Sequence, residues 1–143
     1  ARAELVDRFL TGYRDVLRPR LLLGSWRTRA QDPSALEAQL AQALGPPGAW
    51  RYGGTAAGAR LDGHYRGGRT AIHVEALPER LPQRVQALPS ADGDLVALRV
   101  PCPAALGGPD PTCVHPLVVC AEMLCDADER ARGAAQRIRE RFV

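Results

Sequence analysis

The 143 residues fit a single domain, long enough to bury roughly two thirds of the surface that the unfolded chain exposes. All 19 basic residues are arginine and the net charge is only +3, so the composition does not indicate a dedicated nucleic-acid binder, which usually has a stronger local basic excess. No apolar run approaches the roughly 20 residues of a membrane span and no charged-then-apolar leader opens the chain, so we expect a soluble, cytoplasmic protein.

The first segment has the pattern of an amphipathic helix. Apolar residues recur at helical spacing between residues 2 and 17, and the helix is expected to end by Arg18 because Pro19 disfavours the α region there. The short apolar run Arg20 to Trp26 predicts a buried strand, in which Gly24 marks a bulge.

A second helix is indicated by two start signals close together. Pro33 suits the first helical turn, and Ser34 with Glu37 has the spacing of a capping box. The helix is expected to continue to about Leu44, where the sequence Gly-Pro-Pro-Gly at residues 45–48 ends it.

The central stretch from Trp50 to Glu75 predicts a strand, a helix and a second strand. The first strand ends in Gly53-Gly54, Thr55 is placed to cap the small-residue helix, and a glycine-rich turn precedes a strand from Thr70 to Ala76. Paired glycines allow close approach to the backbone, and a helix start offers free N–H groups, so Gly53, Gly54 and Thr55 are candidate phosphate ligands. The alternative is a tight turn packed against the sheet.

The following segment predicts a helix within residues 78–88, starting near Glu79 or Pro82, and a strand at about Asp94 to Val100. Residues 101–112 are rich in proline and glycine and are expected to form a loop. Helices and strands therefore alternate along the chain. This order predicts an α/β (mixed α+β) fold in one domain, residues 1–143, with a small mixed sheet flanked by helices.

Residues 115–143 predict a helical hairpin at the end of this domain. Pro116 opens the first helix, and Asp126 with Glu129 has capping-box spacing for the second. The expected core positions are Leu117, Val118, Ala121, Leu124 and Cys125 on the first helix and Ala131, Ala134, Ala135, Ile138 and Phe142 on the second.

Two stability predictions follow from this pattern. Truncating Leu124 or Ile138 to alanine is expected to cost about 2–5 kcal/mol. The arginines of the last helix are expected to face outward, where Arg130, Arg137 and Arg141 are candidates for contact with an acidic partner, and a solvated face is the alternative. Exchanging Arg137 or Arg141 for glutamine is then expected to change stability by no more than about half a kcal/mol.

The four cysteines have no Cys-x-x-Cys spacing. A zinc site from Cys102, Cys113 and His115 lacks an identifiable fourth ligand, so buried free thiols are favoured, with a Cys102–Cys113 disulfide as the alternative. Nucleophilic chemistry by Cys113 and His115 lacks a third group to orient the histidine. We predict neither a metal nor a cofactor.

Three segments together resemble a known family. These are the run Leu17-Arg-Pro-Arg-Leu-Leu-Leu-Gly, the run Trp50-Arg-Tyr-Gly-Gly-Thr-Ala-Ala, and the stretch from His115-Pro-Leu-Val-Val-Cys-Ala-Glu-Met-Leu to Phe142. In this order they resemble the carboxy-terminal domain of AbiEi-type antitoxins of type IV toxin–antitoxin systems, over nearly the whole chain. Cys120 stands where the family usually has tyrosine.

The resemblance implies a transcriptional regulator with two kinds of partner. Family members usually carry a winged-helix DNA-binding domain before this region, and the start at Ala1, already inside a helical pattern, leads us to expect the carboxy-terminal part of a longer protein. The implied roles are repression of its own operon through the missing winged helix and neutralisation of a cognate nucleotidyltransferase-like toxin without a stable complex. The alternative is a regulator that has no cognate toxin.

The central stretch also resembles, more weakly, a nucleotidyltransferase signature, which needs two carboxylates on one strand face to hold magnesium. The matching positions here are His73 and Glu75, which offer one imidazole and one carboxylate. A hard magnesium ion prefers oxygen ligands, so the signature is degenerate and a non-catalytic role is favoured. The alternative is a nucleotide-binding or nucleotidyltransferase-like enzyme that uses the Gly53-Gly54-Thr55 turn and Glu75.

Overall fold

A computed structural model describes residues 1–143 and contains one mixed sheet of five strands. The strands are β1 (Leu22–Arg27), β2 (Arg51–Gly53), β3 (Thr70–Val74), β4 (Leu88–Pro89) and β5 (Leu95–Arg99). Their order across the sheet is β2-β3-β5-β1-β4. Only β3 and β5 are parallel, and the other neighbouring pairs are antiparallel. The predicted mixed α/β class is confirmed.

Helices connect and cover the strands. The α-helices are α1 (Arg2–Gly12), α2 (Arg18–Leu21), α3 (Pro33–Leu44), α4 (Gly54–Asp62), α5 (Leu81–Arg84), α6 (Pro116–Met123) and α7 (Glu129–Phe142). A π-helical turn, Tyr13–Leu17, joins α1 to α2, and a 3₁₀ turn, Pro103–Leu106, interrupts the predicted loop. No helix has both the length and the apolar character needed to cross a membrane.

The central strands β3 and β5 are buried, whereas β1, which was predicted as a buried strand, is mostly half-exposed. Along β5, Leu95 and Ala97 belong to the larger apolar cluster, whereas Val96 and Leu98 belong to a smaller cluster with Tyr13 and other residues. Alternate residues of a strand point to opposite faces, so this alternation shows that β5 has packed layers on both sides. Burial on both sides explains why almost every residue of this strand is apolar.

The helical segment that begins with α1 does not end by Arg18, so that prediction is wrong. The chain stays helical to Leu21 because the π-helical turn comes before Pro19, with the Arg18 N–H bonded to the Tyr13 carbonyl. Pro19 then lies in the first turn of α2, where a missing N–H removes no bond of that short helix. The predicted bulge is present, since the register between β1 and β5 shifts between Leu22 and Gly24.

All three predicted helix caps are wrong. The N-cap of α3 is Asp32, whose Oδ1 accepts the Ala35 N–H at 2.8 Å. The N-cap of α7 is Asp128, which accepts the Arg130 N–H at 2.9 Å. The N-cap of α4 is Gly53, and no side chain caps that helix. In each case the N-cap is a residue near the predicted one, and it has the extended backbone that an N-cap requires.

The segment between β3 and β5 also differs from the prediction. The helix there is a single turn, α5, because Arg80 and Gln86 on either side have the positive φ angles 64° and 52°. Leu88, predicted as helical, instead begins β4, which pairs with the end of β1. The strand predicted at Asp94 to Val100 is confirmed as β5.

The carboxy-terminal helical hairpin is confirmed as α6 and α7, which pack on α4. Of the five predicted core residues of α7, Phe142 is only half-buried and four are buried: Ala131, Ala134, Ala135 and Ile138. On α6, Val118 and Ala121 are buried, whereas Leu117, Leu124 and Cys125 are only half-buried. The predicted inner face of α6 is therefore partly wrong, because Val119, Cys120, Glu122 and Met123 on its other sides are buried as well.

Candidate functional site

The Gly53-Gly54 turn lies between β2 and α4, as predicted, and packing accounts for both glycines. A Cβ at position 53 would overlap the imidazole of His73, so only glycine fits over that ring. Gly54 has φ +51°, which glycine adopts at no steric cost, and a Cβ there would meet Ala71 and Glu122. The turn therefore matches the tight-packing alternative, and its phosphate-binding role stays a prediction.

Thr55 stabilises the glycine-rich turn rather than the start of α4. Its hydroxyl oxygen accepts the Gly67 N–H at 3.0 Å, and the side chain is buried. Arg66 adds to this junction by donating to the Thr70 hydroxyl and to the carboxylate of Glu37. These contacts connect the start of α4 with the start of β3.

His73 is completely buried inside the protein. It lies in β3 on the sheet face of Ala71, it is 0% exposed, and neither ring nitrogen has a hydrogen-bond partner. Burial lowers the pKa of His73 to about 4, although the nearby carboxylate of Glu122 and the backbone of Arg99 favour the cation. The imidazole is therefore neutral and inaccessible at physiological pH.

The burial of His73 predicts an acid-sensitive fold. The unfolded chain binds a proton at this residue below about pH 6.5, whereas the native chain does so only below about pH 4. Stability from this residue is therefore complete above pH 6.5 and falls as the pH drops towards 4, by up to roughly 3 kcal/mol. Urea unfolding at several pH values will measure it. In His73→Leu the loss between pH 6.5 and 4 should be smaller by that amount, and equal losses would contradict the prediction.

Glu75 is not brought together with His73. The strand β3 ends at Val74, two residues earlier than predicted, and Glu75 follows it as an exposed side chain. His73 is thus buried in the core, whereas Glu75 is in solvent. Across the whole chain, no three His, Cys, Asp or Glu side chains are grouped to hold a metal ion.

The cysteines are all free thiols, so the alternative of a Cys102–Cys113 disulfide is wrong. Burial raises the pKa of Cys113 to about 11, which keeps it protonated. His115 is the N-cap of α6, where its Nδ1 accepts the Leu117 N–H at 3.0 Å. The Nδ1 of His115 is therefore used as a helix cap, and no hydrogen bond joins His115 to Cys113.

An open cleft of about 520 Å³ lies beside the Gly53-Gly54 turn, and Gly54 and Thr55 are in its lining. We call it the cleft. Its other residues come from the starts of β3 and β5, the end of β1, the end of α6 and the turn 125–128. Neither His73 nor Glu75 lines it. The lining includes five carboxylates and three arginines, so its formal charge opposes a polyanion such as a nucleoside triphosphate.

A buried polar network joins two residues of the cleft lining, Arg18 and Glu122, to Tyr13. The carboxylate of Glu122 accepts the Tyr13 hydroxyl at 2.7 Å and the Nε of Arg18 at 2.9 and 3.0 Å, and the Arg18 Nη2 lies 2.7 Å from it. Burial and the Glu122 carboxylate raise the pKa of Tyr13, and hydrogen bonding to Glu122 raises that of Arg18 against the opposing effect of burial. Tyr13 is therefore a neutral donor and Arg18 a cation.

The π-helical turn explains how Tyr13 and Arg18 reach the same carboxylate. They are five residues apart, a separation that places side chains on different faces of an α-helix but brings them together across one turn of a π-helix. This network was not predicted from the sequence. Its one visible signal was Glu122 itself, a single charged residue inside the apolar run of α6.

The arginines of α7 differ in the contacts that they make within the chain. Arg137 donates its Nε to Asp62 at 2.9 Å, Arg139 pairs with Asp7 at 2.8 Å, and Arg130 pairs with Asp128 at 2.9 Å. The guanidinium of Arg141 lies over the ring of Phe142. Of the three candidates for a partner surface, only Arg141 has no ion pair within the chain.

Arg137 and Arg141 should therefore differ in mutation tests, although the sequence predicted the same small effect for both. Arg137→Gln leaves the 8% exposed carboxylate of Asp62 with only His64 nearby, and should cost about 1 kcal/mol after allowing for the exposure of the arginine. Arg141→Gln should stay within about half a kcal/mol. Urea unfolding of both variants will measure the difference, and equal effects would show that the Asp62 pair contributes nothing.

The fold and this region define a mixed α/β domain with a terminal helical hairpin, in which the degenerate nucleotidyltransferase positions do not converge. A family model described as "Transcriptional regulator, AbiEi antitoxin, Type IV TA system" matches residues 1–143. The chain belongs to this AbiEi antitoxin family, which confirms the resemblance seen in its sequence. No curated protein and no solved structure matches it.

Proposed function

We propose that this chain is the non-catalytic regulatory domain of a type IV antitoxin. The family gives the class of protein, an antitoxin and transcriptional regulator. The observation that supports a non-catalytic role is the separation of His73 and Glu75, one sealed in the core and one exposed beyond β3. Magnesium-dependent nucleotidyl transfer needs neighbouring carboxylates that face a common accessible space.

Two partners belong to this proposal. Operator DNA is bound by a winged-helix domain outside residues 1–143, as the resemblance implies. A cognate nucleotidyltransferase-like toxin is counteracted in the cytoplasm, without a stable complex with the antitoxin. The net charge of +3 and the pairing of three α7 arginines within the chain support assigning DNA binding elsewhere.

Calorimetry tests the non-catalytic role directly. Residues 1–143 are titrated with magnesium and each nucleoside triphosphate, and we expect no binding because the cleft carries more carboxylates than arginines. Micromolar binding that disappears in Glu75→Ala would favour the nucleotidyltransferase alternative instead.

The regulatory role is tested in cells and on DNA. Growth arrest caused by a nucleotidyltransferase-like toxin encoded beside this gene should be relieved by the full-length protein and equally by its Glu75→Ala variant. In a gel-shift assay at physiological salt, the full-length protein should bind its own promoter and residues 1–143 should not. Specific operator binding by residues 1–143 alone would contradict this division of roles.

A further inference from the structure

The carboxylates of the cleft are mostly occupied by partners within the chain. Both oxygens of Asp94 accept hydrogen bonds from Thr28, and both oxygens of Asp128 are engaged by Arg130 and Tyr65. Glu122 is held by Tyr13 and Arg18. The side chain of Asp92 accepts no hydrogen bond within the chain, and Asp126 accepts one, from the N–H of Asp128 to its Oδ1.

The arginines of the cleft have more unused donors. Arg27 donates to the backbone of Asp92 through Nη2 alone, and Arg69 donates to the backbone of Gly93 and Ala91 through Nε and Nη2. Arg27 and Arg69 therefore hold the same loop, residues 91–93, and both residues line the cleft. Although the lining has more carboxylates than arginines, it includes two arginines with N–H groups that are not used within the chain. Such N–H groups can bind a carboxylate.

The rest of the lining adds two features. Ala71, Val96 and Met123 supply apolar surface within the cleft. Asp126 lies in the turn before α7, a different segment of the lining from residues 91–93, and its Oδ2 accepts no hydrogen bond within the chain, so it can accept from a cationic group of a ligand. The volume of about 520 Å³ is typical of a small-molecule site.

We propose that the cleft binds a small zwitterion of the amino acid class. Its carboxylate bonds to Arg27 and Arg69, its ammonium group bonds to Asp126, and its side chain contacts the surface of Ala71, Val96 and Met123. The net acidic lining selects against ligands with several negative charges. This site does not depend on the proposed function, because binding is measured on the chain itself.

The test is a titration of residues 1–143 followed by amide NMR, with each of the common amino acids as the probe. For each one, two matched compounds are used, the amide that lacks the carboxylate and the acid that lacks the ammonium group. With one or more amino acids, we expect saturable chemical-shift changes at Gly54, Gly68 and Ala127, which all line the cleft. The matched compounds should bind at least about tenfold more weakly, as expected for one lost charged hydrogen bond.

Variants then assign the contacts. Arg69→Gln and Arg27→Gln should each weaken binding about tenfold or more, and Asp126→Asn should do the same. Arg132→Gln is the matched control, since Arg132 is an exposed arginine of α7 outside the cleft, and its affinity should equal that of the unmodified chain. Thermal melts show whether each variant is folded.

Three results would overturn the proposal. The first is the absence of saturable shifts with every amino acid at millimolar concentration. The second is binding of inorganic phosphate in place of any carboxylate, which would change the class of ligand. The third is equal affinity in Arg27→Gln, Arg69→Gln and Arg132→Gln, which would place the ligand outside the cleft.

Discussion

Glu122→Ala should destabilise the fold by about 3–5 kcal/mol, because it removes one member of a buried charged network and leaves the others without a partner. The Tyr13 hydroxyl, in a residue that is 1% exposed, would lose its acceptor. Arg18, whose side chain is only 21% exposed, would keep its charge without a counter-ion. A typical domain has about 5–15 kcal/mol of stability, so this change would remove a large share of the free energy of unfolding.

Urea unfolding of Glu122→Ala measures this effect, and Glu140→Ala is the matched control. Glu140 lies on the exposed side of α7 and accepts a hydrogen bond only from Gln136, so its truncation should stay within about half a kcal/mol. Tyr13→Phe combined with Glu122→Ala should cost less than the sum of the two single changes, since both remove the same hydrogen bond. Similar small losses for Glu122→Ala and Glu140→Ala would refute the importance of the network.

Most elements of the fold could be predicted because their signals are local. The helix α3 lies between Asp32-Pro33 and Gly45, and α7 has a regular stripe of apolar residues. The strand β4 has only two residues, Leu88 and Pro89, and exists because it pairs with Trp26 and Arg27. No pattern within two residues can reveal such a strand, so the sequence assigned Leu88 to a helix.

The error at Pro19 has a different origin. The rule that a helix ends before proline assumes α-helical geometry in the preceding turn, and the chain changes to a π-helical turn there instead. That change is stabilised by contacts with Glu122, which is 104 residues from Arg18 and 109 from Tyr13 along the chain. Tertiary contacts of this range have no signal in the local sequence.

The position of the Gly53-Gly54 turn was predictable from the sequence, but the structural reason for its glycines was not. The glycine pair, the strand and the helix around it were placed correctly from the spacing of small and apolar residues. The reason for Gly53 is the ring of His73 beneath it, and this contact depends on the pairing of β2 with β3. Alternation along β3 placed His73 and Glu75 on one face, but it could not show that the strand ends between them.

The second large effect is expected at Ile138, whose truncation to alanine should cost about 2–5 kcal/mol. Ile138 is 0% exposed and lies against Gly58, where the small residues of α4 allow α7 and the side chain of Met123 to approach closely. Because closely packed helices cannot collapse into the space left by three missing carbons, a cavity would remain between α4 and α7.

Leu124→Ala and Leu5→Ala are the comparisons that make this prediction specific. The sequence predicted equal costs for Leu124 and Ile138, but Leu124 is half-buried, so its truncation should cost clearly less. Leu5 is 66% exposed and should give a change within about half a kcal/mol. Urea unfolding with unchanged m-values should therefore rank the losses as Ile138, then Leu124, then Leu5. If Leu5→Ala destabilised as much as Ile138→Ala, α7 would not be packed on α4 through Ile138, and the hairpin would have to be held by its ion pairs with Asp62 and Asp7 instead.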